Sequence, residues 1–179
     1  MTGASALFVG AAAGCLGDDG GDAPSPATLT EDDTCDVCGM VIPRHPGPTA
    51  ETFYDRDPSG HSNPARFDST WEAFQYDFER RDRGWTRRAF YVTDYSAVDY
   101  DLFSEGGDTY ISTHPEAEAF APAESVTFVV DSEVIGAMGR DLIGFGDRGD
   151  AETFQSERGG SLATLDDVTP TMISQLGMG

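Results

Sequence analysis

The spacing of apolar and polar positions predicts short strands and two helices, set out twice in the same order. Residues 50–54 (Ala-Glu-Thr-Phe-Tyr) read as a strand, followed by the turn signal Asp57-Pro58-Ser59-Gly60. Residues 65–67 read as a second short strand that leads into a helix. Ser69 with Glu72 three positions on is a capping box, and Trp71, Phe74 and Phe78 fall at i, i+3 and i+7 on one helical face. That aromatic stripe is expected to be core. Gly84 ends the helix, residues 89–93 read as a strand, and residues 99–103 as a weaker one.

The second half repeats the scheme. Residues 109–113 suggest a strand, and residues 125–130 a better one, rich in β-branched and aromatic side chains. Residues 134–138 follow Asp131-Ser132 like the return arm of a hairpin, and residues 142–145 give another strand. Asp150 is the expected N-cap of a helix from Ala151 to about Arg158, Gly159-Gly160 stops it, and residues 161–165 close the pattern. Arg66-Phe67-Asp68, helix, Gly84, strand thus matches Gly144-Phe145-Gly146-Asp147, helix, Gly159, strand. The expected fold is α+β, two similar small ββαβ units packed together. Folded sequence spans residues 34–170, with a first unit at about 34–104 and a second at about 105–170; residues 171–179 read as a frayed tail.

Ahead of this lies different sequence. Residues 1–15 form an apolar run ending in Ala13-Gly14-Cys15, too short to span a bilayer, which takes about 20 residues. The run fits the apolar region of a signal peptide, and its end resembles a lipobox with Cys15 as the lipidated residue. Ala12 stands where Leu is usual, and no Arg or Lys precedes the run, which points to a start upstream of Met1. Residues 16–33 are Gly, Asp, Pro, Ser and Thr with little apolar content, the composition of a flexible tether.

Charge narrows the function classes. The formal net charge is −21 and every one of the eleven basic residues is Arg. A nucleic-acid binder needs clustered cations for phosphate, so that class is excluded. The acids are spread along the whole chain and resemble the pattern of extreme halophiles. In molar salt the Debye length is about 3 Å, which screens self-repulsion.

Cys35-Asp36-Val37-Cys38-Gly39-Met40 concentrates the chemistry, with three sulfur side chains in six residues. Thiolate and thioether form a soft donor set that favours Cu(I); a Cys-x-x-Cys pair alone also suits zinc or an iron–sulfur cluster. Thioether is a poor zinc ligand, so Met40 favours copper. Structural zinc needs two further ligands, for which the sequence offers His45, His61 and His114 without a paired spacing. A structural disulfide and a thioredoxin-like redox pair are the remaining alternatives, although a redox pair usually opens a helix and here Gly39 and Pro43 follow closely. All three histidines are expected at the surface. The Pro- and Gly-rich surroundings suggest a mobile loop suited to holding and releasing a metal.

The chain resembles the NosL family, copper-binding accessory lipoproteins of nitrous oxide reductase maturation. The resemblance runs from about Cys35 to Val168 and rests on Cys35-x-x-Cys38-Gly39-Met40, on Phe67-Asp68-Ser69, and on Ala137-Met138-Gly139 with Phe145, Ala151-Glu152-x-Phe154 and Gly159-Gly160. It implies two related ββαβ units and a non-enzymatic role. That role is to hold Cu(I) outside the cytoplasm, on a lipid anchor at the outer face of the membrane. The copper then passes to nitrous oxide reductase, with a membrane transporter complex as partner. It implies Cys35, Cys38, Met40 and Met138 as metal ligands. Many members carry a Cys-Met pair in the first helix, where this sequence has Trp71 to Phe74, so a sulfur ligand from that helix is missing.

Overall fold

Strand β1 (Ala50–Tyr54) lies in the middle of the first sheet of the computed structural model, which describes residues 23–176. It pairs antiparallel with β2 (Ala65–Phe67) on one side and β3 (Arg87–Thr93) on the other. Helix α1 (Thr70–Asp82) packs on one face of this sheet. Phe74 meets Phe90 edge-on at 5.0 Å between ring centroids, and Tyr54 meets Tyr76 at 6.1 Å. All five residues of β1 are buried although the strand alternates, because its other face is covered too.

That cover is the stretch preceding the first cysteine. Ala27 N–H donates to Glu51 Oε2 at 2.9 Å and Tyr91 hydroxyl donates to the Pro24 carbonyl at 2.8 Å. Leu29 is 3 % exposed, and its N–H reaches the Pro115 carbonyl. The segment expected as a free tether through residue 33 is therefore docked on the sheet from Pro24 onward. Cys15 and residues 16–22 lie outside the described residues.

The second sheet repeats the wiring. β7 (Thr127–Gly136) pairs antiparallel with β8 (Gly139–Phe145) and with β9 (Ser161–Ala163), and helix α2 (Arg148–Arg158) connects β8 to β9. In both units the first strand is central and the second and third flank it: β2-β1-β3 and β8-β7-β9. The α+β class and the ββαβ order read from the sequence are both present. Between the units, the hairpin of β4 (Leu102–Glu105) and β5 (Asp108–Ile111) joins the second sheet by a parallel pairing of β5 with β7. β6 (Phe120–Pro122) instead crosses to pair with β3, so the division near residue 104 is not the division between sheets.

Three local readings are corrected. Asp131-Ser132 does not turn the chain: β7 continues through it, and the turn falls at Ala137-Met138. Asp131 takes φ of 60° where the β7–β8 register shifts, and the Ser132 hydroxyl bonds the N–H and carbonyl of Val134. The polar pair is absorbed as a bulge. α2 starts three residues earlier than expected, capped by Asp147, whose carboxylate accepts the Gly149 N–H. Residues after Pro170 form helix α3 (Pro170–Leu176), which buries Ile173 and Leu176 and accepts the Trp71 indole N–H on the Ile173 carbonyl at 2.7 Å.

Two cores result. Phe74, Phe90 and Phe128 join the units in the larger one, while Phe145, Phe154 and Tyr95 centre the smaller. Of the aromatic stripe on α1, Phe74 is fully buried while Trp71 and Phe78 are half-buried. Gly160 shows how tightly α2 is returned to the sheet. Its φ is +89°, and a Cβ there would sit 2.6 Å from the Val130 carbonyl oxygen. Gly160→Ala is expected to lower unfolding stability by about 1–3 kcal/mol, read as a shift in denaturant midpoint.

Candidate metal centre

The cysteine loop is shaped by its own backbone. Thr34 and Val41 form an antiparallel bridge, Cys35 N–H donates to the Met40 carbonyl at 2.9 Å, and Gly39 N–H donates to the Cys35 carbonyl at 3.0 Å. Gly39 supplies the φ of +77° that closing the loop requires. The loop is docked on β2: Asp36 N–H donates to the Arg66 carbonyl, and Arg66 N–H donates back to Asp36 Oδ2 at 2.8 Å. His61 Nε2 lies 2.8 Å from Asp36 Oδ1. His61 is thus half-buried against the loop, where an exposed residue was expected, and the loop is braced instead of free.

The docking brings both thiols to the start of α1. Ser69 is the N-cap and its hydroxyl accepts the Glu72 N–H, one half of the expected capping box. The Glu72 carboxylate turns elsewhere: Cys35 Sγ donates to its Oε2 at 2.9 Å. Cys38 Sγ lies 3.5 Å from both Asp68 oxygens. One donor atom from each of Cys35, Cys38, Asp68 and Glu72 lies within 4.8 Å of all the others. Cys35, Asp68 and Glu72 are buried, and Cys38 is exposed. The group is therefore closed on three sides and open at Cys38.

Burial sets its electrostatics. Desolvation, helped by the nearby Asp68 charge, pushes the Cys35 thiol far above its ordinary range, and desolvation also raises Cys38. Burial lifts Glu72 to about 7. Among the described residues neither Asp68 nor Glu72 is ion-paired, which for buried carboxylates leaves thiol hydrogen bonds and the helix N-terminus as their stabilisers. A cation fits there. The thiols are its soft donors, and the carboxylates accept from the thiols while these are protonated.

The alternatives fare differently. Both cysteines are free, so the pair is not a disulfide in this structure. A redox Cys-x-x-Cys depends on a lowered thiol pKa, and here both are raised. Among the described residues no histidine joins the group, and the two further ligands that a tetrahedral zinc would need could come only from Asp68 and Glu72.

Of the four ligands implied by resemblance, the structure brings Cys35 and Cys38 together. Met40 closes the same loop through its carbonyl and is half-buried. Met138 sits on the β7–β8 turn, 39 % exposed, on a hairpin whose Gly136 packs against Gly47 and Pro48. Asp68 and Glu72 were not among the candidates. Two carboxylates flanking the Ser69 N-cap, one just before it and one in the first turn, were the available signal.

Comparison with known proteins identifies the family of the chain. The family model described as NosL matches residues 26–173. The chain is 23% identical over 150 residues to the copper-binding lipoprotein NosL of Stutzerimonas stutzeri, covering 84% of this chain and 69% of that protein. The crystal structure of the copper chaperone NosL from Shewanella denitrificans superposes with a TM-score of 0.67 at 26% identity, covering 84% of this chain and 99% of that one.

Proposed function

This chain belongs to the NosL family, and from that membership we propose that it carries one Cu(I) ion as cargo outside the cytoplasm and hands it toward the copper centres of nitrous oxide reductase. Its support is the quartet of Cys35, Cys38, Asp68 and Glu72, two soft thiols against two buried carboxylates with all four donor atoms within 4.8 Å of one another. Cys35 and Cys38 are the thiolate ligands, and Met40 and Met138 supply thioethers that resist disulfide formation in oxidising surroundings. Copper displaces the thiol protons as it binds. The exposed Cys38 is where a partner's donor enters, so the ion leaves by ligand exchange without passing through water. Delivery requires no catalysis by this chain. A lipid on Cys15 would keep it at the outer membrane face beside the transporter complex.

The test is an anaerobic Cu(I) titration of the reduced full chain in molar salt, competed with a chromophoric chelator. One tightly held Cu(I) per chain is expected, with Met40→Ala and Met138→Ala each weakening it by about tenfold or more. Failure to compete with the chelator would sink the proposal. Substoichiometric turnover of disulfide substrates would instead favour a thiol–disulfide redox module.

A further inference from the structure

Asp141 belongs to the second unit, yet its carboxylate lies at the start of the first unit's helix. It is 1 % exposed. Oδ1 accepts the Trp71 N–H and the Leu142 N–H, each at 2.8 Å, and Oδ2 accepts the Ser69 hydroxyl at 2.8 Å. Ser69, oriented by that donation, accepts the Glu72 N–H at 3.3 Å. Two donors of α1's first turn with no other acceptor among the described residues, the Trp71 backbone N–H and the Ser69 O–H, thus depend on one carboxylate from β8. The carboxylate is walled in. A Cβ on Gly136 would lie 3.1 Å from Asp141 Oδ2 and 3.1 Å from Pro48 Cδ, and the Pro48 carbonyl takes the Thr70 hydroxyl.

Asp68 precedes Ser69 directly and Glu72 ends the same turn, so the bonds that hold Ser69 and Trp71 also set where both site carboxylates stand. We infer that Asp141 is a positioning residue of the copper site, holding the Asp68–Glu72 turn against the cysteine loop from the opposite unit. The inference rests on the copper-site reading above. Asp141 touches none of the four donor side chains and acts through Ser69 and Trp71. Groups that hydrogen-bond a metal ligand directly are worth about 10- to 100-fold in affinity, and Asp141, one step further out, is expected at the low end of that range.

The experiment compares the full-length wild type with Asp141→Ala, Asp141→Asn and Gly160→Ala. Asn keeps an acceptor for the two N–H groups and presents an amide to the Ser69 hydroxyl. Gly160→Ala strains the α2–β9 return of the second unit and serves as a destabilised control. Two readouts are taken: Cu(I) affinity by anaerobic chelator competition, and the metal-free alkylation rate of Cys35 followed by mass spectrometry. Asp141→Ala is expected to lose about tenfold or more in affinity and to alkylate severalfold faster at Cys35, as Glu72 leaves its thiol. Asp141→Asn keeps the acceptor for Trp71 and Leu142 but cannot accept the Ser69 proton through its amide nitrogen, so it should fall between wild type and Asp141→Ala in both, and Gly160→Ala should change neither. Asp141→Ala with wild-type affinity and wild-type Cys35 protection would overturn the inference, as would equal effects from Gly160→Ala. A wild type that binds no Cu(I) would remove the copper reading, while the alkylation arm would still decide whether Asp141 holds the turn.

Discussion

Cys35→Ser should abolish stoichiometric Cu(I) binding, with Kd weakened by about three decades or more, equivalent to about 4 kcal/mol. The substituted hydroxyl can still donate to Glu72 Oε2 where the thiol does at 2.9 Å, so the buried hydrogen bond survives and the fold is retained. What disappears is the thiolate that a closed, dry position offers to a soft ion. The pH dependence provides a second reading of the same chemistry. Burial holds both thiols protonated well above neutrality. Each displaced thiol proton then adds about a factor of ten in affinity per pH unit, so wild-type affinity should rise about a hundredfold per unit between about pH 8 and pH 9, above the Glu72 titration near 7. In Cys38→Ser the slope should fall to about tenfold. Chelator competition across that range checks both slopes; an affinity indifferent to pH would show that neither thiol proton is displaced.

Stability should move in the opposite direction with pH. Glu51 is fully buried beneath the segment that starts at Pro24, with Oε2 on the Ala27 N–H and Oε1 without a hydrogen-bond partner. Burial lifts its carboxyl to about 7. A folded-state value above the unfolded one means that the folded state favours the proton. The contribution is therefore fully present below about pH 4.5 and is lost as pH rises through about 7, a swing of about 3 kcal/mol. Denaturant midpoints at about pH 5 and pH 8 should show the wild type losing more stability than Glu51→Gln, by about 2–3 kcal/mol. Equal losses in the two proteins would place the slope elsewhere, for instance on Asp141, which burial also lifts to about 7. The amide of Ala27, whose N–H sits on that carboxylate, should report the loosening of the segment by hydrogen exchange as pH rises.

Short-range pattern was legible where the local signal had no competitor. β1 and β2 stand at the residues that their alternation marks, and α1 begins at the Ser69 cap. The order strand–strand–helix–strand recurs in both halves with the same pairing. Where a signal had two outcomes, the sequence alone could not choose. Asp131-Ser132 has the composition of a turn, but β8 offered β7 a longer ladder and the pair became a bulge. Residues 171–179 read as a tail, yet 170–176 form a helix because the groove beside Trp71 gives Ile173 somewhere to bury. Glu72 is a sound capping-box residue by spacing, yet a thiol 37 positions away outbids the local N–H for its carboxylate.

The sequence by itself determined β1, β2 and the start of α1, the twofold order of the units and the sulfur side chains at Cys35 and Cys38, because these depend on periodicity and side-chain chemistry within a few residues. Only the tertiary structure decided what stands around those sulfurs. Asp68 and Glu72 arrive from positions 30 and 37 residues on, and Asp141 fastens their turn from 70 residues beyond Trp71. Such neighbours follow from how β2 receives the cysteine loop and how β8 meets α1. These are long-range contacts, and their hydrogen bonds form only once both units have packed.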